Sequence, residues 1–537
     1  MLIRSCSAGI RTLAGAAVAL LAAAACTQAT PESPTKPNFL FVAVDDLNAI
    51  VGFLSEQPGS PLQTLYPDAA KRAEVRARLT PNLDRLAESG RPFHRAYCPA
   101  PLCGPSRTAI LTGVAAHRSG YHEHKFNFRE CPSLADAVTL PQWLRQHGYF
   151  TAGIGKVFHH GKVDRQSDGT EADWTDRDRS WDAYPFRYEG GPTNDKDVWP
   201  KYNHAPTTYI RYGPTQVPFD RMGDTGNARF IAELLRSGKA TIRTSDKQDA
   251  TVQLPDDRPF FLACGLFSPH LPWAVPAEFF ARFPTDEMAI DAATLARWHS
   301  DVTDLPSSGV GLTVLAKGNR NDLAPFLEHA TKLDGPEAAV PLLRELNQAY
   351  LASVAFADAC LGLIFQALDA SPHAKDTIVV VWGDHGFHLG EKARLGKSAL
   401  WEEANHTVLV LRVPGQPAPG AAVATPVSLL DLYATISDLA GVKPPPSVDG
   451  ASLRPWIEAP GRATPPVLTT MGPGRHAVRD GRWCYIRYAA NQEELYDDLA
   501  DPEQRDNLAG RPEFAEEKRR LAALLPSSEA PLFERRK

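Results

Sequence analysis

Two short stretches of this chain place acidic side chains where a hard cation could be held. Asp45-Asp46 directly follows the apolar run 39–44, and Asp384-His385 follows the run 377–382 after a single glycine. Asp45, Asp46 and Asp384 offer three anionic oxygen donors, a set that suits calcium or magnesium better than zinc, which calls for more nitrogen or sulfur. An Asp-Asp pair alone at a strand end reads as a helix cap or a solvated turn. The second acidic strand end is what turns the reading toward a metal. Cys103 opens the run Cys103-Gly104-Pro105-Ser106-Arg107-Thr108-Ala109-Ile110-Leu111-Thr112-Gly113, whose plain reading is a buried cysteine ahead of a helix. Lys156 and His159 lie in Gly153-Ile154-Gly155-Lys156-Val157-Phe158-His159-His160-Gly161, His270 in Ser268-Pro269-His270-Leu271-Pro272-Trp273, and Lys397 in Leu395-Gly396-Lys397-Ser398. A nucleophile, bases and cations are therefore present. Each lysine or histidine taken singly is an ordinary loop side chain, and His160 stays in that class.

The elements that must position these groups are legible as continuous apolar runs. Residues 39–44, 260–267, 377–382 and 408–413 are aromatic and β-branched without alternation, as in strands buried on both faces of a parallel sheet, and 149–154 is a shorter strand. Three of the four longer runs lead into polar groups, and ligands in open α/β sheets gather at the carboxyl ends of strands. Helical patterns fall between them, over 81–88 behind the N-cap candidate Thr80, over 140–146 and over 341–368. The alternation predicts an α/β fold with a mostly parallel central sheet flanked by helices, and no repeat of 20 to 50 residues points elsewhere. Proline-rich segments at 443–447 and 459–466 mark a change of texture. Beyond them 477–489 and 494–497 read as short antiparallel strands and 512–525 as a charged helix. We therefore expect a large domain over 37–457 and a small α+β domain over 458–537.

The chain has 537 residues, 43% hydrophobic and 22% charged, which is a globular composition with ample length for a large core. Residues 1–25 carry Arg4 and Arg11 ahead of an apolar run with no stop-transfer pattern, as in an export signal. Cys26 closes the run Leu21-Ala22-Ala23-Ala24-Ala25-Cys26, which looks like a lipoprotein cleavage site, and 26–36 reads as a tether. The expected location is the periplasm, the outer membrane through a lipidated Cys26, or the medium. Removing 1–25 takes away two arginines and no acid, moving the net charge from -6 to -8. Overall charge therefore does not attract nucleic acid or other polyanions. The cysteines are too sparse for a disulfide scaffold and lack zinc-type spacing, although a bridge or two remains open. Arg475, His476, Arg479, Arg482 and Arg487 read as a solvated strand face, with recognition of an anionic sugar as the alternative.

The run from Cys103 to Gly113 resembles the C-x-P-S-R-x-x-x-L-T-G signature of the type I sulfatases at every fixed position. The resemblance spans about 37–508, and within the family the chain is most similar to the iduronate-2-sulfatases through Phe126-Asn127-Phe128-Arg129, the Gly155-Lys156-Val157-Phe158-His159 stretch and Phe260-Phe261-Leu262-Ala263-Cys264-Gly265. It implies an alkaline-phosphatase-like fold, oxidation of Cys103 to formylglycine by a maturase, and one calcium ion touched by Asp45, Asp46, residue 103, Asp384 and His385. It also implies that Arg107 holds the formylglycine, that Lys156 and His159 contact it, and that His270 and Lys397 meet the sulfate. A cysteine thiolate attacking sulfur would be trapped as a thiosulfate ester. A hydrated aldehyde attacks with one hydroxyl and uses the other to expel sulfate, with His159 as base for the collapse and His270 or Lys397 as acid for the leaving alcohol. The implied substrate is a sulfated sugar attacked from its end. Residues 53–78 and 316–340 depart from the family pattern, and substrate loops are where such departures concentrate. The rival readings are a phosphonate monoester or phosphodiester hydrolase of the same superfamily and a lipoprotein that binds sulfated glycans without turnover.

Overall fold

The computed structural model describes residues 36–124, 126–159, 175–185, 211–243, 248–313 and 336–534. The export signal, Cys26, most of the tether, His160 and residues 316–335 lie outside that set. Seven strands form the central sheet: β1 (Asn38–Val44), β2 (Arg91–Tyr97), β3 (Phe150–Gly155), β4 (Phe260–Leu266), β5 (Thr377–Gly383), β6 (His406–Arg412) and β7 (Val427–Ser428). Their order is β7-β2-β6-β5-β1-β4-β3. β1 lies parallel to both β4 and β5, and β3 is parallel to β4. β6 runs antiparallel to β5 and β2, so the sheet is mixed but mostly parallel.

β1 shows why the runs read as they do. Leu40, Val42 and Val44 face one core while Phe39, Phe41 and Ala43 face another, and all six are fully buried. The first core is filled by α4 (Gly223–Ser237) and the long α5 (Pro336–Asp369), the second by α2 (Cys103–Thr112) and α3 (Leu140–Gln146). α5 is apolar and long enough to cross a membrane, but most of it is buried in this core.

α1 (Pro81–Ser89) forms where expected, but Thr80 does not cap it. The Thr80 hydroxyl is used elsewhere, accepting from the Gly52 amide at 2.7 Å. The segment 53–78, which departs from the family pattern, contains a helix over Ala69–Leu79 capped by the Asp68 carboxylate.

From Pro37 onward the chain forms one unit. Its last layer is the antiparallel sheet β8 (Val467–Gly472), β9 (Arg475–Arg479), β10 (Trp483–Arg487) and β11 (Glu493–Asp497), followed by α6 (Ala515–Ala522). One face of this sheet packs Ala477, Cys484, Ile486 and Tyr496 on Ala399, Leu400 and Trp401, and the other packs on Leu521 and Leu525. The basic cluster is therefore not a solvated face throughout. His476 and Arg479 are fully buried, with Arg479 donating to the Leu400 carbonyl at 2.7 Å and His476 paired with Glu529 at 3.1 Å. The six cysteines among the described residues are all free.

Candidate active site

The carboxyl ends of β1, β4 and β5 and the N-terminus of α2 meet at one point. Asp45 and Asp46 leave β1, and Asp46 takes a left-handed backbone (φ 58°) that aspartate tolerates better than most residues. That turn is held from both sides, because the Asp46 amide donates to Asp384 Oδ1 at 2.9 Å and its carbonyl accepts from the Tyr350 hydroxyl at 2.7 Å. Consecutive aspartates thereby both face the site.

α2 is buried along its whole length, and Cys103 is its first residue, where partial positive charge from the helix favours an anion. Cys103 Sγ lies 2.9 Å from Lys397 Nζ, 3.2 Å from His385 Nε2 and 3.6 Å from Asp46 Oδ1. Burial raises the thiol pKa, but Lys397, Lys156 and His385 outweigh it and hold the group well below the ordinary thiol value. One turn along, Arg107 donates to Asp384 Oδ2 at 2.8 Å, to Asp45 Oδ1 at 3.1 Å and to the carbonyls of Lys156 and Val157. Ser106 closes the turn by donating to the Asp384 carbonyl at 2.6 Å.

Lys156 follows β3 and pairs with Asp45. Burial and Cys103 push the Asp45 carboxyl up, yet Lys156, His270 and Arg107 prevail and keep it below the usual carboxylate range. Asp384 goes the other way, pushed up to about 6 by burial against the pull of Arg107. Lys397 pairs with Asp46 at 2.6 Å. Burial lowers its pKa, but Asp46 and Cys103 more than compensate and keep it protonated. The three carboxylates are thus matched by Arg107, Lys156 and Lys397. His159 bonds to Cys103 and is pushed down to about 3, chiefly by burial, so it stands neutral. His270 Nε2 lies 3.9 Å from Asp46 Oδ2, with its side chain one quarter exposed.

The ten residues expected to form the site, Asp45, Asp46, Cys103, Arg107, Lys156, His159, His270, Asp384, His385 and Lys397, therefore converge. Single ligand atoms of Asp45, Asp46, Cys103 and His270 lie within 4.8 Å of one another, as do those of Cys103, Asp384 and His385. Together these are three carboxylates, two imidazoles and the group at 103, and the three buried carboxylates are the donors that would fit a hard divalent cation. Sequence reasoning missed the residues that hold these in place. Asp224, at the start of α4, is fully buried and accepts from the amides of Phe267 at 2.9 Å and Ser268 at 2.8 Å, directly before His270. Trp273 donates to the Pro269 carbonyl at 2.6 Å on the other side. An Asp near a helix start has too many ordinary uses to be noticed from sequence.

The model of one family, Sulfatase, matches residues 37–442. The chain belongs to the sulfatase family. As a sulfuric ester hydrolase of the formylglycine-dependent type, it is similar to a "Sulfatase" of Formosa agariphila, 32% identical over 92% of this chain and 87% of that one. It is also similar to iduronate 2-sulfatase of Homo sapiens, 26% identical over 76% of this chain and 70% of the relative. In three dimensions this sulfatase overlays the phosphonate monoester hydrolase of Silicibacter pomeroyi with a TM-score of 0.67 at 22% identity, covering 91% and 94% of the two chains. That likeness carries the alkaline-phosphatase-like fold alone.

Proposed function

We propose that this sulfatase removes sulfate from a sulfated carbohydrate, using formylglycine made from Cys103 and a bound calcium ion. The observation that carries the reading is the position of Cys103, a buried helix-terminal thiol between Lys397 and His385, with the carboxylate of Asp46 beside it. Hydrated formylglycine there supplies one hydroxyl for in-line attack on sulfur and a second that releases sulfate without water attacking the sulfur centre. A calcium ion held by Asp45, Asp46, Asp384, His385 and residue 103 would supply positive charge to the sulfuryl oxygens.

The chain's own residues divide the remaining work. Arg107 and Lys156 fix the Asp45 carboxylate, and Arg107 also fixes that of Asp384. Lys397, kept protonated between Asp46 and position 103, donates hydrogen bonds to the anionic ester where charge develops. His159, held neutral, accepts the proton lost from the group at 103. His270 stands at the exposed side and is placed to protonate the leaving alcohol. Likeness to iduronate 2-sulfatase makes sulfated uronic acids the first substrates to try. We further propose export, with attachment through a lipidated Cys26, and conversion of Cys103 by a formylglycine-generating maturase.

Turnover of an aryl sulfate and an aryl phosphodiester, each with calcium and with a chelator, tests the reading. It predicts preference for the sulfate and loss of rate with chelator, restored by calcium. A strong preference for the diester overturns it.

A further inference from the structure

Most ionisable groups around Cys103 are closed off from solvent. Asp45, Asp46, Arg107, Lys156, Asp384 and His385 are each at most 5% exposed. The partly buried ones are His159, His270, Lys397 and one residue with no role so far, His124. Among the described residues, these four ionisable side chains stand at the partly exposed edge of the site.

His124 is built into this rim. Its ring lies 4.6 Å from that of His159, and it interacts electrostatically with Cys103. Gly104 makes the room, since a Cβ there would meet His124 Cβ at 2.5 Å. The chain end holds the same loop from behind, where the Ala530 amide donates to the His117 carbonyl at 2.8 Å, the Phe533 amide to Gly120 at 3.1 Å, and the Phe533 ring meets Phe126 edge-on at 5.1 Å. Among the described residues His124 Nδ1, a buried atom, has no hydrogen-bond partner. A buried polar nitrogen without a partner carries a free-energy cost unless something else satisfies it.

We propose that His124 is a further substrate-contacting residue, which hydrogen-bonds a sugar hydroxyl beside the sulfate ester and so helps to set which esters are accepted. The inference rests on the proposed hydrolysis of a carbohydrate sulfate. A neutral imidazole offers one donor and one acceptor, the same pair a hydroxyl offers. A carboxylate or second sulfate accepts only, and would call for a cation in this place.

The test compares His124→Ala and His124→Asn with the wild type on a sulfated monosaccharide and on 4-nitrophenyl sulfate, which has no hydroxyl beside the ester. His124→Ala should lose about tenfold to hundredfold in kcat/KM on the sugar and remain within about threefold on the aryl sulfate. His124→Asn, which also donates and accepts, should recover part of the loss, with Tm showing that both variants fold. Equal losses on the two substrates, or no loss on the sugar, overturn the role of His124 alone. A wild type that turns over neither sulfate ester but hydrolyses a phosphodiester overturns the proposed function, and this inference with it.

Discussion

Asp224 shows how a residue remote from the chemistry governs it. Its carboxylate accepts hydrogen bonds from the amides of Phe267 and Ser268 just past β4, and the Phe267 ring anchored there lies 4.8 Å from the His270 ring and 5.0 Å from Lys156 Nζ. Asp224→Asn keeps the volume but replaces one acceptor with a donor facing an amide. We expect a fall of about tenfold in kcat, with KM less affected, because His270 is displaced while the ester's anionic end is still held. An unchanged kcat would show that the loop holds itself. At this scale the sequence was informative where residue types are unusual together: Asp45, Asp46, Asp384 and His385 at strand ends, and Cys103 with Arg107 one helical turn on. It was silent on Asp224, Tyr350 and His124, because a single polar side chain shows its partner only after folding.

At the scale of elements, buried strands read clearly because both faces of β1, β4 and β5 are packed and apolar side chains run without interruption. β2 escaped notice. Its sequence, RPFHRAY, is polar, and Arg91 is buried because its guanidinium donates to the carbonyls of Ile457, Ala418, Ala421 and Pro417. The antiparallel direction of β6 was equally hidden, since burial on both faces removes the alternation that usually marks such a strand. The basic stretch 475–487 was misread for a related reason. Arg479 looks like a surface residue until Leu400 O and Glu402 are placed beside it. Close backbone approach between β3 and β4 yields a sharp expectation. A Cβ on Gly265 would lie 2.0 Å from the Lys156 carbonyl carbon, so Gly265→Ala must move the strand end that carries Lys156. We expect destabilisation of about 1–3 kcal/mol in denaturant titrations, and a loss of turnover larger than the unfolded fraction accounts for. Loss of stability with full activity per folded molecule would contradict it.

For the whole molecule, the contrast lies between a net charge of -6 and a pocket in which Arg107, Lys156 and Lys397 match three carboxylates, so that a bound divalent cation would leave it positive. Attraction of an anionic ester is therefore local and short-ranged rather than a property of the surface. The C-terminal sheet belongs to that design, because Arg479 and Glu494 tie down Leu400 and Trp401, three and four residues beyond Lys397. The proposed chemistry makes the encoded thiol a precursor. The central claim is tested most directly by the mass of the peptide containing Cys103, taken from protein that releases sulfate from its ester. The account predicts the aldehyde or its hydrate at position 103, in proportion to the specific activity. Full activity from protein whose Cys103 is an unmodified thiol would contradict it.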